Sequence, residues 1–542
     1  MSVIDYQNKH FLIIDNIKPS HDILKKFAMS LTSKHVDSTL YSKDVTSMCL
    51  EKQYDVILLG YDLGERQKNG QQILEELRIS EVITRHCVVV IITAEVTQGM
   101  VLAALEHKPD SYLCKPYSLK ELQKRLNKCI AKKMAMAEIY QAIDDDDKSL
   151  TISLVNDALA SNTPYRIECL GIKSRQFFDL NEFDQAQKIY TAYQNESNCQ
   201  WANIGLGKIA LQKNDFANAE TIFKSIIEQQ PLYMPSYDWL ASTYQQRSHN
   251  LNAEETLEQA VRLSPRSVLR VKKYANLCFE NEHYEKATSA YQQVYNLAYN
   301  SIHQAPENAL MFAKSLAGYS ADLPLIDAKK MNNRAFTMLS QMNKNYPQVE
   351  LKIQAHLLSA CLLENIHDYI VAKSKLELGL TLLDKERPNI DVDSLTNIAD
   401  SLTKLNRNNK ASQILISVNQ QQANNSNKSG KIGELSNEQL NEDHTAKAQK
   451  ALEYSKELFE AREYNKAIKA LNEALLIFPN HRGIKLNLLQ VLLASYEKDK
   501  FKTEDLTQAK RIILEMLSVS KDDEIYSRFK KMKKKYQQVA GI

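Results

Sequence analysis

Two hydrophobic rhythms divide the chain. Over the first 133 residues, short apolar runs alternate with segments of helical period. Phe11 to Ile14, Val56 to Leu59, Cys87 to Ile92 and Ser111 to Cys114 read as strands. Between and after them, Asp22 to Leu31, Gln71 to Leu77, Met100 to Leu105 and Leu119 to Ile130 carry apolar residues at helical spacing. Strands alternating with helices predict a doubly wound parallel α/β sheet. Runs as uniformly apolar as Val88 to Ile92 are what a sheet covered on both faces requires.

From Ala135 onward the strand pattern stops and a fixed period takes over. Leu206, Leu240 and Tyr274 are 34 residues apart, as are Gly207, Ala241 and Ala275. Ala219, Ala253 and Ala287 keep the step, followed by Phe223, Leu257 and Tyr291, and by Pro231 and Pro265. A small residue lets two antiparallel helices approach, a large one four residues on fills the gap, and a proline marks a break between pairs. Weaker matches extend the pattern to Ala186 and Tyr190, to Ala335, Leu339, Met342 and Pro347, to Ala372 and Leu376, to Ala411 and Leu415, and to Ala467, Leu471, Ala474 and Pro479. An insertion is expected near Ala317 to Ile326. The period resembles tetratricopeptide repeats, and about eight repeat-like pairs fit it. That resemblance implies an all-α superhelical solenoid whose groove binds protein segments. Residues 420–446, rich in Asn, Gln and Ser, read as a flexible linker between repeats at 134–419 and a C-terminal block at 447–542.

Sites in doubly wound sheets form at the carboxyl ends of the strands. Asp15, Gly60, Thr93 and Lys115 fall there, with Asn16 beside Asp15 and Lys115 followed by Pro116. In order and spacing this resembles the receiver domain of bacterial response regulators, a flavodoxin-like fold. In that family, the position of Gly60 is the aspartate that accepts a phosphoryl group. An acidic pair at the positions of Asp15 and Asn16 holds magnesium, and the residues matched by Thr93 and Lys115 contact the phosphoryl group. Tyr112 matches the switch aromatic loosely. Gly60 supplies no nucleophile, and Asn16 removes one charge from the metal site, although Mg²⁺ prefers carboxylate oxygens. The resemblance thus implies a degenerate receiver, with Lys115 paired to Asp15 as a structural bridge and docking through the face at Ser111 to Ile130. Asp15 is the weak metal candidate, no cofactor is expected unless the pocket still takes magnesium, and Asp62 is the one substitute acceptor.

Composition adds exclusions. Net charge is +3, so no bulk field argues for nucleic acid or a membrane. The 8 cysteines form no CxxC pair, which fits a reducing cytoplasm without zinc or redox motifs. No apolar run is long enough to span a bilayer. Asp144 to Asp147 lacks the central Gly and closing Glu of a calcium loop and reads as a helix cap. Trp201 and Trp239 read as packing residues, and no catalytic grouping is present. The expected function is a non-enzymatic cytoplasmic signalling adaptor of two-component type, phosphorylation-independent, with protein partners for the repeat groove and the receiver face. Two alternatives remain: a phospho-switch using Asp62, and a nucleic-acid-binding regulator using the basic stretch Lys530 to Lys535.

Overall fold

The two central strands of the N-terminal domain, β3 (Val56–Gly60) and β4 (Val88–Thr93), are buried at every position. Only a sheet layered by helices on both faces hides such runs. In the computed structural model these strands join β1 (His10–Ile14), β2 (His35–Thr39) and β5 (Ser111–Cys114) in one parallel sheet of order β2-β1-β3-β4-β5. The structure describes residues 4–540 apart from 65–66, 95–96, 98, 100, 103–105, 197–198, 388–389, 406, 416–451, 478–481, 500–502 and 518–524. The linker proposed at 420–446 and Pro479 lie outside the described residues, as does most of the helix expected over Met100 to Leu105; Val101 and Leu102 within that stretch, and Gly99 and Glu106 on either side of it, are helical.

Strand β2 escaped the hydrophobic pattern. Its sequence, HVDST, is polar at every position but Val36, because it lies at the sheet edge and pairs only with β1. Around the sheet, α1 (Lys18–Ser30), α3 (Gly70–Ile79) and α4 (Leu119–Ala135) match or extend the expected helices, and α2 (Val45–Glu51) was not expected. Helix α3 starts in a capping box, with Asn69 accepting from the Gln72 amide and Gln72 reaching back. Helix α4 is capped by Ser118.

The domain is followed by a long all-helical region. After α5 (Ala137–Asp144), Asp147 caps α6 (Lys148–Ala160) by accepting from the Leu150 amide at 2.8 Å. Helices α7 (Arg166–Asp179), α9 (Gln200–Gln212), α11 (Met234–Gln246) and α13 (Val268–Glu280) each open a pair. Their start positions, 166, 200, 234 and 268, keep a step of 34. Their partners are α8 (Phe183–Tyr193), α10 (Phe216–Gln229), α12 (Asn250–Leu263) and α14 (Tyr284–Ala298). Each pair turns through one left-handed residue: Asn181, Asn214, Ser248 or Glu282.

The chain forms two compact units, residues 1–304 without 50–52, and residues 305–542 with 50–52. The second unit contains α15 (Pro306–Tyr319), α16 (Leu325–Asn345), α17 (Val349–Asn365), α18 (Tyr369–Glu386) and α19 (Val392–Lys404). It also contains α20 (Tyr464–Ile477), α21 (Arg482–Lys498), α22 (Thr503–Met516) and α23 (Tyr526–Ala540). Ala335, Leu339, Met342, Ala372, Leu376, Ala467 and Leu471 are buried there, whereas Leu415 is 40% exposed. No helix among the described residues is long and apolar enough to cross a membrane.

Close approach inside the repeats is visible at Gly207, where a Cβ would stand 2.4 Å from the ring of the fully buried Phe223. Gly205 faces Tyr190 the same way, at 2.3 Å. Ala219, Leu240, Ala241, Ala253 and Leu257 are buried as the period implied, and Leu206 is half-buried. Pro231 departs from the expectation: it is exposed and ends a helix without joining the core, while Pro265 is half-buried. We expect Gly207→Val to lower stability by about 1–3 kcal/mol, because the added carbons meet a ring that is packed on all sides. Thermal unfolding would report it as a lower midpoint, with partial recovery when Phe223→Leu is combined.

Candidate functional site

The parallel register brings the predicted residues together at the carboxyl edge of the sheet. Ile14 stands beside Leu59, Gly60 beside Ile92, and Thr93 beside Cys114. Asp15 follows β1 and is 1% exposed. Its carboxylate accepts from the Ile17 amide at 2.9 Å, the Ser20 hydroxyl at 2.6 Å and the Lys115 ammonium at 3.1 Å. Lys115 also donates to Ser20 at 2.9 Å, closing a three-membered network. Ser20, on the first turn of α1, is the member that sequence reasoning missed. Thr93 is buried, and its carbonyl accepts from the Lys115 amide at 2.7 Å.

Gly60 is enclosed as well as uncharged. A Cβ there would lie 3.0 Å from the Ile14 carbonyl oxygen, 3.3 Å from Leu63 and 3.5 Å from the Asp15 Cα. Gly70, the first residue of α3, packs so closely that its own Cβ would sit 2.5 Å from the Gly60 carbonyl oxygen. Asp62 points elsewhere: it is exposed, and its carboxylate accepts from the Gly64 amide at 3.0 Å in the same loop.

The acidic corner does not suit magnesium. Asp15 is the sole carboxylate of the acidic pair and is already neutralised by Lys115. Asn16 offers one amide oxygen, which is buried without a partner. Mg²⁺ usually takes one or two carboxylates plus waters and phosphate oxygens in strict octahedral geometry. A lysine held against the single carboxylate opposes that arrangement, so no step is assigned to a metal here.

A second cluster lies where the receiver-like domain meets the repeats, within the first unit. Arg270 on α13 is 4% exposed. It forks onto Asp238 of α11 through two hydrogen bonds of 3.0 and 2.9 Å, and donates to Glu106 at 2.6 Å. The Ser264 hydroxyl donates to the same Glu106 oxygen at 3.2 Å. Burial alone would lower the Arg270 pKa, but the hydrogen bonds and charges of Asp238 and Glu106 hold it above its ordinary value. Around this core, the Gln72 amide donates to the Leu297 and Tyr299 carbonyls at 3.0 and 3.2 Å. Glu75 pairs with His303 at 2.6 Å, and Arg266 reaches the Tyr61 hydroxyl at 3.4 Å. Pro265 lies against Gly99. The receiver side of these contacts is Tyr61, α3, Gly99 and Glu106. Nothing in the local sequence distinguished these residues, since their roles depend on partners up to 228 positions away.

The basic C-terminal stretch is partly spent on packing. Lys533 is 5% exposed, and Lys535 pairs with Glu497 at 2.7 Å. Trp239 both stacks on Phe223, with ring centroids 6.5 Å apart, and lines a cleft beside Lys208.

The family model of the response regulator receiver domain matches residues 11–127. A two-component response regulator from Clostridium difficile is 25% identical over 23% of this chain and 97% of its own, with a TM-score of 0.21. The C-terminal part of a TPR repeat-containing protein from Cytophaga hutchinsonii is 16% identical over 51% of this chain and 98% of its own, with a TM-score of 0.33. MamA is 17% identical over 34% of this chain and 92% of its own, with a TM-score of 0.27. No curated protein matches the chain.

Removing one member of a buried ionic cluster leaves the others uncompensated. Arg270→Met should cost about 3–5 kcal/mol, because two carboxylates lose their cation. Glu106→Gln should cost less, since Asp238 still pairs with Arg270. Hydrogen exchange should show the loss first in α3 and the N-terminal turns of α13; unchanged protection there would contradict the clamp.

Proposed function

We propose that the chain is a non-enzymatic signalling adaptor of two-component type, bacterial and cytoplasmic. Its receiver-like domain works without phosphorylation, and its helical repeats bind other proteins. The observation that carries this reading is the pocket at the sheet edge: the acceptor position is Gly60, enclosed by Ile14 and Leu63, while Asp15 is committed to Lys115 and Ser20.

Acyl-phosphate formation needs a carboxylate nucleophile, a metal to neutralise the phosphoryl oxygens and a free lysine beside the acceptor. Gly60 lacks the first, Asn16 weakens the second and Asp15 occupies the third. Asp62 has a carboxylate, but it is directed to the Gly64 amide. A receiver in this condition serves as a fixed module. The buried Arg270 cluster supports the same view, since it ties the domain to its own repeats by permanent charges. The 34-residue step of helix pairs supports a protein-binding array.

Incubating the full chain with radiolabelled acetyl phosphate and Mg²⁺ tests the reading. No acid-stable, base-labile label should appear in the chain or in its Asp62→Ala variant. Stoichiometric label that disappears in Asp62→Ala would overturn the proposal in favour of a phospho-switch.

A further inference from the structure

Two histidines face one buried carboxylate where the receiver-like domain meets the repeats. His303, which follows α14, meets Oε1 of Glu75 on α3 at 2.6 Å. His107, next to Glu106 in the receiver-like domain, stands 3.9 Å from the same oxygen. Both imidazoles are half-buried. A single carboxylate already paired with His303 does not neutralise a second cation. Glu106, the other carboxylate that acts on His107, already takes Arg270 at 2.6 Å and Ser264 at 3.2 Å on one oxygen. Both acidic groups that would stabilise a protonated His107 are therefore spent on groups from the repeats.

The other edge of the His107 ring is set by a directed chain of hydrogen bonds. The Gln71 amide nitrogen lies 3.4 Å from His107 Nε2. The oxygen of that amide accepts from the Tyr61 hydroxyl at 3.3 Å, and Tyr61 accepts from Arg266 at 3.4 Å. A guanidinium has donors only, so the chain runs one way, from Arg266 through Tyr61 and Gln71 to His107. Its last bond needs a lone pair on Nε2. A neutral imidazole supplies one when its proton sits on Nδ1, the atom that faces Glu75. A second proton would go to Nε2 and set two donors against each other. Turning the Gln71 amide over would accept that proton only by withdrawing the oxygen that Tyr61 now uses.

We infer that His107 is a proton-operated release for the contact between the receiver-like domain and the repeats. Neutral, it completes the hydrogen-bond chain; protonated, it loosens α3 and Glu106 from α13. Burial supports this by lowering the His107 pKa from its ordinary 6.5, against the charges of Glu75 and Glu106, and the charge of His303 adds to the lowering. Because its pKa is lower in the closed contact than in the open one, His107 takes up a proton on opening. Closure is fully favoured above about pH 6.5 and weakens as pH falls through the lowered value. The receiver-like domain is thus fixed at neutral pH and released in mild acid. Uptake of one proton limits the effect to about tenfold per pH unit.

Hydrogen exchange of the full chain at about pH 7.5 and about pH 5.5, corrected for intrinsic exchange rates, reads the opening. In the wild type, protection of α3 and of the first turns of α13 should fall about three- to tenfold on acidification, while β3 and β4 keep theirs. His107→Gln places an amide near the Nε2 position without a titrating ring, and its protection in those segments should change less than about twofold. His303→Gln leaves Glu75 to pair with a protonated His107, so its acid response should be smaller than that of the wild type. No loss in the wild type, a uniform loss across the chain, or an equal loss in His107→Gln would overturn the proposal. If His107→Gln does not fold, an unreduced response in His303→Gln overturns it by itself. Nuclear magnetic resonance of chain labelled at histidine Cε1 gives the second reading. The His107 signal should titrate below 6.5 in the wild type and move up in His303→Gln; a midpoint at or above 6.5 in the wild type overturns the release.

Discussion

Arg270 is the constraint on which the first unit depends. A guanidinium buried to this degree is stable only with its charge matched and its donors engaged. Asp238 takes two of those donors from within the repeats, and Glu106 takes another from the receiver-like domain. The pairing is thus shared between two parts of the chain that have separate cores. Its planar fork specifies geometry as well as charge, which a lysine at that position would not do. Gln72, Glu75 and Tyr61 then add neutral and ionic contacts around an anchor already in place.

The sheet-edge pocket obeys the same electrostatic rule with a different outcome. Asp15 is nearly inaccessible and needs a cation, so Lys115 bends to it and Ser20 completes its hydrogen bonds. The result is a closed network of Asp15, Ser20 and Lys115, beside which the Asn16 amide oxygen is buried without a partner. Gly70 lets the start of α3 pack against the end of β3, and Gly60 sits close to the end of β1.

In the repeats, the Lys208 ammonium lies over the rings of Phe178 and Trp239 at 4.2 and 5.2 Å, with Asp179 the strongest charge acting on it. The ionic clamp and the cleft use different residues of the same helices: Asp238 serves the clamp while its neighbour Trp239 lines the cleft. Adjacent positions on a helix face different directions, so α11 holds the domain on one side and lines the cleft on another.

Periodicity alone made much of the architecture legible. The apolar runs at Val56 and Val88 could be satisfied only by a doubly covered sheet, and the 34-residue recurrence of Gly207, Ala241 and Ala275 only by stacked helix pairs. The positions of Asp15, Gly60, Thr93 and Lys115 were equally plain, because strand ends in a parallel sheet converge. Strand β2 was hidden because an edge strand has no need of a continuous apolar sequence. Ser20's place beside Asp15, the engagement of Glu106 by Arg270, and the placing of Lys208 over two rings were matters for the tertiary structure. Local pattern records which face of an element is buried, whereas a charge's partner depends on which distant element folding brings within a few ångströms.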